Sequence, residues 1–405
     1  MPPPSPPPPS ADALGLLALT VIPGLGPVLI GRIVKHLGSA EAVLHAEPAQ
    51  LRLIQGLSDK RIQALISARR NATDAAKREA DAIAKVGATI LGINDPGYPP
   101  LLRQIDDPPP ILTVRGNLQP HEQDQYALAV VGSRACTQYG REQTARFAGL
   151  IAAAGITIVS GGARGIDTAA HQAAIQSGGR TIAVLGCGIA RAYPPENREL
   201  FDRIADGHGA VISELPVNTE PDAKNFPARN RLITGLSLGV LLIEAATRSG
   251  SLISARLAGD DQGREVFAVP GRIDSPASEG TNDLIKSGGA QLVTSPGDII
   301  EALQTPARHA HAGTHQSRYN HSLFNTPQAS TDQPPAPRPS ALTLNPAQRA
   351  IVSALQGPLD LDALVRETGL QPQVIAAELT VLEVWRVITR AGSGGRIERV
   401  GSAGT

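Results

Sequence analysis

The segment Lys224-Asn-Phe-Pro-Ala-Arg-Asn-Arg231 carries three cationic side chains, one aromatic ring and no acid. A guanidinium presents a planar fork to phosphate oxygens, and a ring presents a face to a nucleobase. Pro227 predicts an extended Phe226 that can display its ring, and Arg229 and Arg231 flank Asn230 where a helix is expected to begin. The plainer alternative is a proline-marked helix start with Phe226 in the core. Four other segments concentrate glycine, small hydroxyls and arginine: Gly132-Ser133-Arg134, Ser160-Gly161-Gly162-Ala163-Arg164-Gly165-Ile166-Asp167, Gly186-Cys187-Gly188 and Thr247-Arg248-Ser249-Gly250-Ser251. Glycine lets backbone N–H groups approach a ligand closely, and helix N-termini add partial positive charge. Arg134, Arg164, Arg229, Arg231 and Arg248 add whole charges. Together they predict a phosphate-bearing ligand.

Nucleotide cofactors fit poorly. The dinucleotide fingerprint G-x-G-x-x-G is missing after Val131, where the chain reads Gly132-Ser-Arg-Ala-Cys-Thr137, and Ser160-Gly-Gly stands where an acid would hold a ribose. No G-x-x-x-x-G-K-[ST] loop occurs, and the chain has only six lysines. No cofactor is expected. Catalytic constellations are thin. Asp167 and His171 lie one helical turn apart and could pair as orienter and base, with Ser160 or Ser133 as nucleophile; a helix-start Asp beside an unrelated His explains them as well. Glu214 and Glu244 close strands and either do acid–base work or hold arginines in place. Cys187 reads as a small strand-end residue.

These segments need a scaffold. Ala127–Gly132, Ile156–Ser160, Thr181–Gly186, Ala210–Glu214, Gly239–Ala245 and Glu265–Pro270 are short apolar runs, as expected of strands buried on both faces. Helices are predicted over Gln143–Ala154, Asp167–Ser177, Asn197–Asp206, Asn230–Leu236 and Leu252–Asp261. The alternation predicts an α/β doubly wound parallel sheet with every motif above at one edge, beyond the carboxyl ends of the strands.

The 405 residues suggest two or three domains at roughly 150 residues each. Lys+Arg and Asp+Glu both number 37, so a wholly basic chain is excluded and any anion site is local. Aromatics at 3% argue against a surface built mainly of stacking rings, and two cysteines exclude a disulfide scaffold or cysteine-rich zinc module. No apolar run suffices for a membrane helix. Residues 1–10 are mostly proline, without the basic start and apolar stretch of a secretory signal; a reducing cytoplasm is the expected compartment. We expect a tail over 1–10, a helical domain over 11–93, the sheet domain over 94–304 after the proline-rich connector Asn94–Pro100, a linker over 305–344 and a helical module over 345–402. His309, His311, His315 and His321 in the linker lack the cysteine or acid that would close a metal shell. No metal is expected. Ile22-Pro-Gly-Leu-Gly26 looks like the turn of a helix–hairpin–helix, with Ile54-Gln-Gly-Leu-Ser58 as a degenerate copy. Helices over Pro346–Leu355, Leu361–Thr368 and Pro372–Leu382, then a wing over Val387–Val400 turning at Gly392–Gly395, give winged-helix order. Because Gln371–Glu383 has no Lys or Arg, and Glu378 and Glu383 would repel phosphate, a protein-contact role is favoured for this module over groove binding. Trp385 is expected to pack the module.

The blocks Gly132-Ser-Arg134 with Tyr139-Gly140, Ser160–Asp167 with His171, Tyr193-Pro with Asn197, Phe226–Ser237, Glu244-Ala with Ser249–Leu252, Val269-Pro-Gly271 and Gly280-Thr-Asn with Leu284-Ile285 occur in one order. In them the chain resembles DNA-processing protein A (the DprA/Smf family) over about 95–303. The resemblance implies an extended Rossmann-like domain that binds single-stranded DNA, forms a homodimer, protects incoming DNA and loads the RecA recombinase in natural transformation, with no settled catalytic activity. A single-strand-binding protein is a further implied partner. Carried over by position, the DNA contacts are Ser133, Arg134, Ser160, Gly161, Gly162, Arg164, Lys224, Phe226, Arg229, Asn230, Arg231, Ser249, Gly250 and Ser251. The family often has lysine three residues before the phenylalanine; here that residue is Ala223, with Lys224 next to it. Ala190 likewise stands where a polar or acidic residue is usual. Two readings of another class remain: a Rossmann-like phosphoribohydrolase acting on a nucleoside monophosphate through Glu244, although Ser160–Gly165 departs from the Pro-Gly-Gly-x-Gly-Thr loop of such enzymes, and a pure interaction scaffold.

Overall fold

The computed structural model describes residues 8–311 and 345–371, with 374–375, 378–379, 382, 387–391 and 396–399. It opens with five helices: α1 (Ala11–Thr20), α2 (Pro27–Leu37), α3 (Ala40–His45), α4 (Pro48–Arg52) and α5 (Asp59–Lys85). The turns between α1 and α2 and between α4 and α5 both need a left-handed residue, supplied by Gly24 (φ 85°) and Gly56 (φ 86°). The two hairpin copies read from sequence therefore share one turn conformation. Ile62, Leu65, Ala72, Ala76 and Ile83 recur at helical spacing along α5 and are buried with Leu16, Leu19, Ile30 and Ile33.

Next comes a nine-stranded sheet: β1 (Ala88–Gly92), β2 (Ile111–Gly116), β3 (Ala127–Val131), β4 (Thr157–Ser160), β5 (Thr181–Val184), β6 (Gly209–Ser213), β7 (Gly239–Leu242), β8 (Glu265–Ala268) and β9 (Gln291–Leu292), in the order 1-2-6-5-4-3-7-8-9. Strands 6-5-4-3-7-8-9 run parallel. The six expected strands are all present and β3 to β7 are wholly buried. The hairpin β1–β2 was not anticipated; it adds antiparallel to β6, so the sheet begins at Ala88, before the connector, and is mixed. Interleaved are α6 (Pro100–Arg103), α7 (Gln138–Ala153), α8 (Ile166–Gln176), α9 (Arg198–Arg203), α10 (Asn225–Gly235), α11 (Ser251–Arg256), α12 (Glu279–Lys286) and α13 (Pro296–His311). Helix α13 takes in the first residues of the expected linker; the remainder of that linker, with His315 and His321, lies outside the described residues.

The second unit contains α14 (Pro346–Ala354), α15 (Leu361–Thr368) and the antiparallel hairpin β10 (Ile388–Ala391) and β11 (Arg396–Arg399) around Ile351, Leu364, Ile375, Leu379 and Ile388. Glu378 accepts from Asn345 Nδ2 (3.0 Å) and Gln348 Nε2 (2.8 Å), so it braces the start of α14. Residues 1–7, Glu383, Trp385 and the turn Gly392–Gly395 lie outside the described residues.

Candidate nucleic-acid cleft

β3 leads to β4 on one side and is flanked by β7 on the other, so the connections part at this point of the sheet. Such a switch point opens a crevice beyond the strand ends. A cleft of about 730 Å³ lies there, lined by Gly132, Ser133 and Arg134 after β3, Asp167 of α8, Tyr193, Ala223, Phe226, Pro227, Arg229 and Asn230 around the start of α10, and Arg248 to Ser251 before α11.

Two of the lining cations are exposed, Arg134 and Arg248, and neither has an ion pair among the described residues. The Arg134 guanidinium stands 5.2 Å from the centre of the Phe226 ring, a cation–π contact. The Tyr193 ring packs against the same ring, with centroids 5.5 Å apart and planes at 45°. Phe226 is the second residue of α10, not an extended residue before it: Pro227 sits in the first helical turn, where its missing N–H has no consequence. The ring is half-buried over Gly186, where a Cβ would come within 2.8 Å of it. Ser249 and Ser251 bond to each other through their hydroxyls at 2.8 Å, and Gly250 faces open space.

The other expected contacts take different positions. Arg229 lines the cleft but is 6% exposed. Its Nη2 donates to the Gly161 carbonyl (2.7 Å) and lies 4.0 Å from Asp167, and its Nη1 donates to Asn230 Oδ1 (3.0 Å). It is an anchor more than a ligand fork. Arg231 turns away from the cleft and is held by Asp107 (2.7 Å) and Glu214 (2.6 Å). Arg164 is paired with Glu196 (Nη2–Oε2 3.1 Å) and Lys224 with Asp222 at 3.0 Å, both in exposed pairs, and neither lines the cleft. Ser160 is wholly buried and donates to the Val130 carbonyl (2.6 Å). Nor do the glycines leave room for a ligand: a Cβ at Gly161 would overlap the Arg229 guanidinium, and at Gly162 (φ 67°) it would meet the Phe201 ring at 2.6 Å. Two of the loop amides are engaged: Ser133 N donates to the Glu244 carbonyl (2.8 Å), and Ala163 N to Asp167 (3.2 Å). The whole charges at the cleft are on side chains. Arg248 was expected among the charges at this edge, although not among the contacts carried over from the family, and it lines the cleft beside Ser249–Ser251; Tyr193 was given no contact role and lines it too.

The acid–base candidates are committed to the scaffold. Glu244, 1% exposed, accepts from Thr137 N (2.8 Å) and Thr137 Oγ1 (2.6 Å) at the start of α7. It therefore occupies, with the protein's own carboxylate, the helix N-terminus where a nucleotide phosphate would bind, and it holds no arginine. Glu214 does hold one. Burial pushes the Glu214 carboxyl upward, against the Arg231 charge that lowers it. Burial also raises Asp167 against the pull of Arg229. His171 is wholly enclosed, and burial, with Arg229, lowers it to about 3. Thr181 Oγ1 gives its proton to the Ile158 carbonyl (2.7 Å), so it must accept from His171 Nδ1 (2.6 Å). The imidazole is thus a neutral core donor, not a base facing substrate. Cys187, raised to about 11 mainly by burial, donates to the Arg191 carbonyl (2.9 Å). Among the described residues no group of three metal-ligating side chains occurs, and no helix is long and apolar enough to cross a membrane.

An extended Rossmann-like sheet with a cationic, ring-bearing crevice at its switch point, preceded by a helix–hairpin–helix tandem, defines a DNA-processing class of protein. Residues 89–304 match the DNA recombination-mediator protein A family, 334–394 the DprA winged helix domain and 16–71 the SAM-like helix-hairpin-helix tandem. The chain belongs to the DprA/Smf family. It is 35% identical over 389 residues to Protein Smf of a Synechocystis species, covering 92% of this chain and 96% of that one. It is 46% identical over 211 residues to the DNA processing protein DprA of Streptococcus pneumoniae, 52% of this chain and 72% of that one. The crystal structure of that Streptococcus protein superposes with a TM-score of 0.62 at 35% identity, covering 71% of this chain and 97% of that one.

Two outcomes follow from these positions. Arg231→Ala should act on stability, since it strands the buried Glu214: a loss of about 3–5 kcal/mol in urea unfolding is expected, as for other broken buried pairs. For His171, the unfolded chain takes up a proton near pH 6.5 and the folded chain only near 3. The unfolded state binds more protons between those values, so this group's contribution is lost as pH falls through that window, by up to about 1.4 kcal/mol per unit. Asp167 works in the opposite sense, so the measurement is the difference in pH slope between the wild type and His171→Gln, which should be shallower.

Proposed function

We propose that the cleft binds single-stranded DNA without sequence preference, and that the chain is a non-enzymatic, cytoplasmic mediator that protects incoming DNA and passes it to RecA in natural transformation. A homodimer and contact with a single-strand-binding protein belong to the same reading. The observation that carries it is the Arg134–Phe226 pair beside Arg248: two cations without carboxylates and a ring, all on one open cleft. Phosphates would lie against the guanidiniums while an unpaired base meets the aromatic group. Duplex DNA keeps its bases stacked and offers no such face. A glycosidic-bond enzyme would need Glu244 free, and that carboxylate is enclosed and fully occupied by Thr137.

Titration of a labelled oligothymidylate by fluorescence anisotropy tests the reading. Arg134→Ala should weaken binding by more than about tenfold, and Phe226→Ala should cost about 1–3 kcal/mol. With two free cations per chain, log K against log salt should have a slope of about −1.4 per bound chain, at about 0.7 for each single-strand phosphate contact. Unchanged affinity in both variants would remove the cleft from the assignment.

A further inference from the structure

We propose that the N-terminal helical module is a working part of the strand-binding site, and that Glu79 on α5 is the positioning residue through which it acts. The inference rests on the reading of the cleft given above.

Tyr193 reaches the cleft on a loop, and Phe226 on the first turn of α10, directly after a second loop. The first loop follows β5 and runs from Gly186 to Tyr193; the second follows β6 and runs from Glu214 to Lys224. The loops are bound to one another: Gly188 N donates to the Thr219 carbonyl (2.9 Å), and Ala190 N to the Val217 carbonyl (3.0 Å). Their backbones pass so closely at Gly188 that a Cβ there would overlap the carbonyls of Pro216 and Val217. The exposed Arg191–Glu220 pair (3.2 Å) adds little on its own. Tyr193 ends the first of these loops and Phe226 follows the second, the two rings meet, and Phe226 also rests on Gly186 of the first loop.

The pair of loops is backed by the helical module. Ile189 and Val217, both buried, belong to the same apolar cluster as Leu16, Ile33, Ile62 and Ile83, with Ala190 packed against it. The Val217 N–H donates to Glu79 Oε1 across 138 residues of sequence. That one bond fixes the strand-end loop to a helix of 27 residues. An enclosed N–H without an acceptor costs as much as a lost hydrogen bond, so the loop has reason to stay against α5. The module thereby holds the ring pair in place without touching the ligand.

The test uses the full chain, with oligothymidylate anisotropy and amide hydrogen exchange. Glu79→Ala should weaken binding by about fivefold, the effect of one lost positioning hydrogen bond. The salt slope should stay as in wild type, because Arg134 and Arg248 are untouched. Glu79→Gln keeps a carbonyl acceptor for Val217 N–H and should recover most of the affinity, which a general loss of stability would not allow. Exchange should quicken at Val217, Gly188 and Ala190 in Glu79→Ala and not in Glu79→Gln. Val217→Ala trims the apolar half of the same contact and should weaken binding similarly; it is the second variant should Glu79→Ala fail to fold. Wild-type affinity in Glu79→Ala and Val217→Ala, alongside weakened Arg134→Ala, overturns the buttress and leaves the cleft reading standing. If Arg134→Ala also binds normally the cleft reading fails, and unchanged exchange at Val217 in Glu79→Ala then overturns the buttress by itself.

Discussion

The buried guanidinium of Arg229 is the contact on which the cleft depends. It ties α10 to the loop after β4 through the Gly161 carbonyl and faces the Asp167 carboxylate. A charge enclosed to this degree is tolerable only when paired and hydrogen-bonded, so the rotation of α10 about its axis is set by this residue. Phe226, three positions earlier, and Asn230, one later, then fall toward the cleft. Arg231 is carried round to the far side of the helix, where Asp107 and Glu214 meet it. One anchored side chain decides which neighbours face the cleft and which is a strut.

Charge in this electrically balanced chain is handled the same way. Arg164, Arg191, Arg231 and Lys224 each have a carboxylate within 3.2 Å through at least one nitrogen. What remains on the cleft is Arg134 and Arg248. A polyanion meeting this surface therefore finds a short, defined cationic track. The low aromatic content is consistent with that economy: the cleft's ring beside an unpaired guanidinium, Phe226 against Arg134, is placed by helix geometry and by Gly186, not by a surface of many rings.

The parallel core was legible because strands covered on both faces are continuous apolar runs, and β3 to β7 are such strands. β1 and β2 were not: they meet each other only across the proline-rich connector and α6, and β2 joins β6 about a hundred residues later, pairings that nothing in a short apolar segment announces. The cleft's location was legible from glycine and arginine clustering at strand ends. The roles within it were only partly so. Arg229 and Arg231 are the same residue type two positions apart, and their difference is set by Asp107 and Gly161, which lie far away in sequence. Phe226 was expected to project because Pro227 follows it; the helix instead starts earlier, and the proline falls where a helix accepts one.

The glycines show why composition misleads about mechanism. A glycine-rich edge suggests amides bared to a phosphate, and in nucleotide-binding sheets the helix after the first strand supplies them. Here that helix, α7, already has Glu244 at its N-terminus, and Gly140 leaves the space that the carboxylate fills. Gly161 and Gly162 make room for Arg229 and Phe201, and Gly132 for Ile166. The smallest residues thus serve to bring large protein groups together beneath the cleft. Closing the mononucleotide site from within leaves an open trough whose affinity must come from side chains on its rim. Such a surface discriminates little between bases and suits a ligand that continues past both ends of the site, as a polynucleotide does.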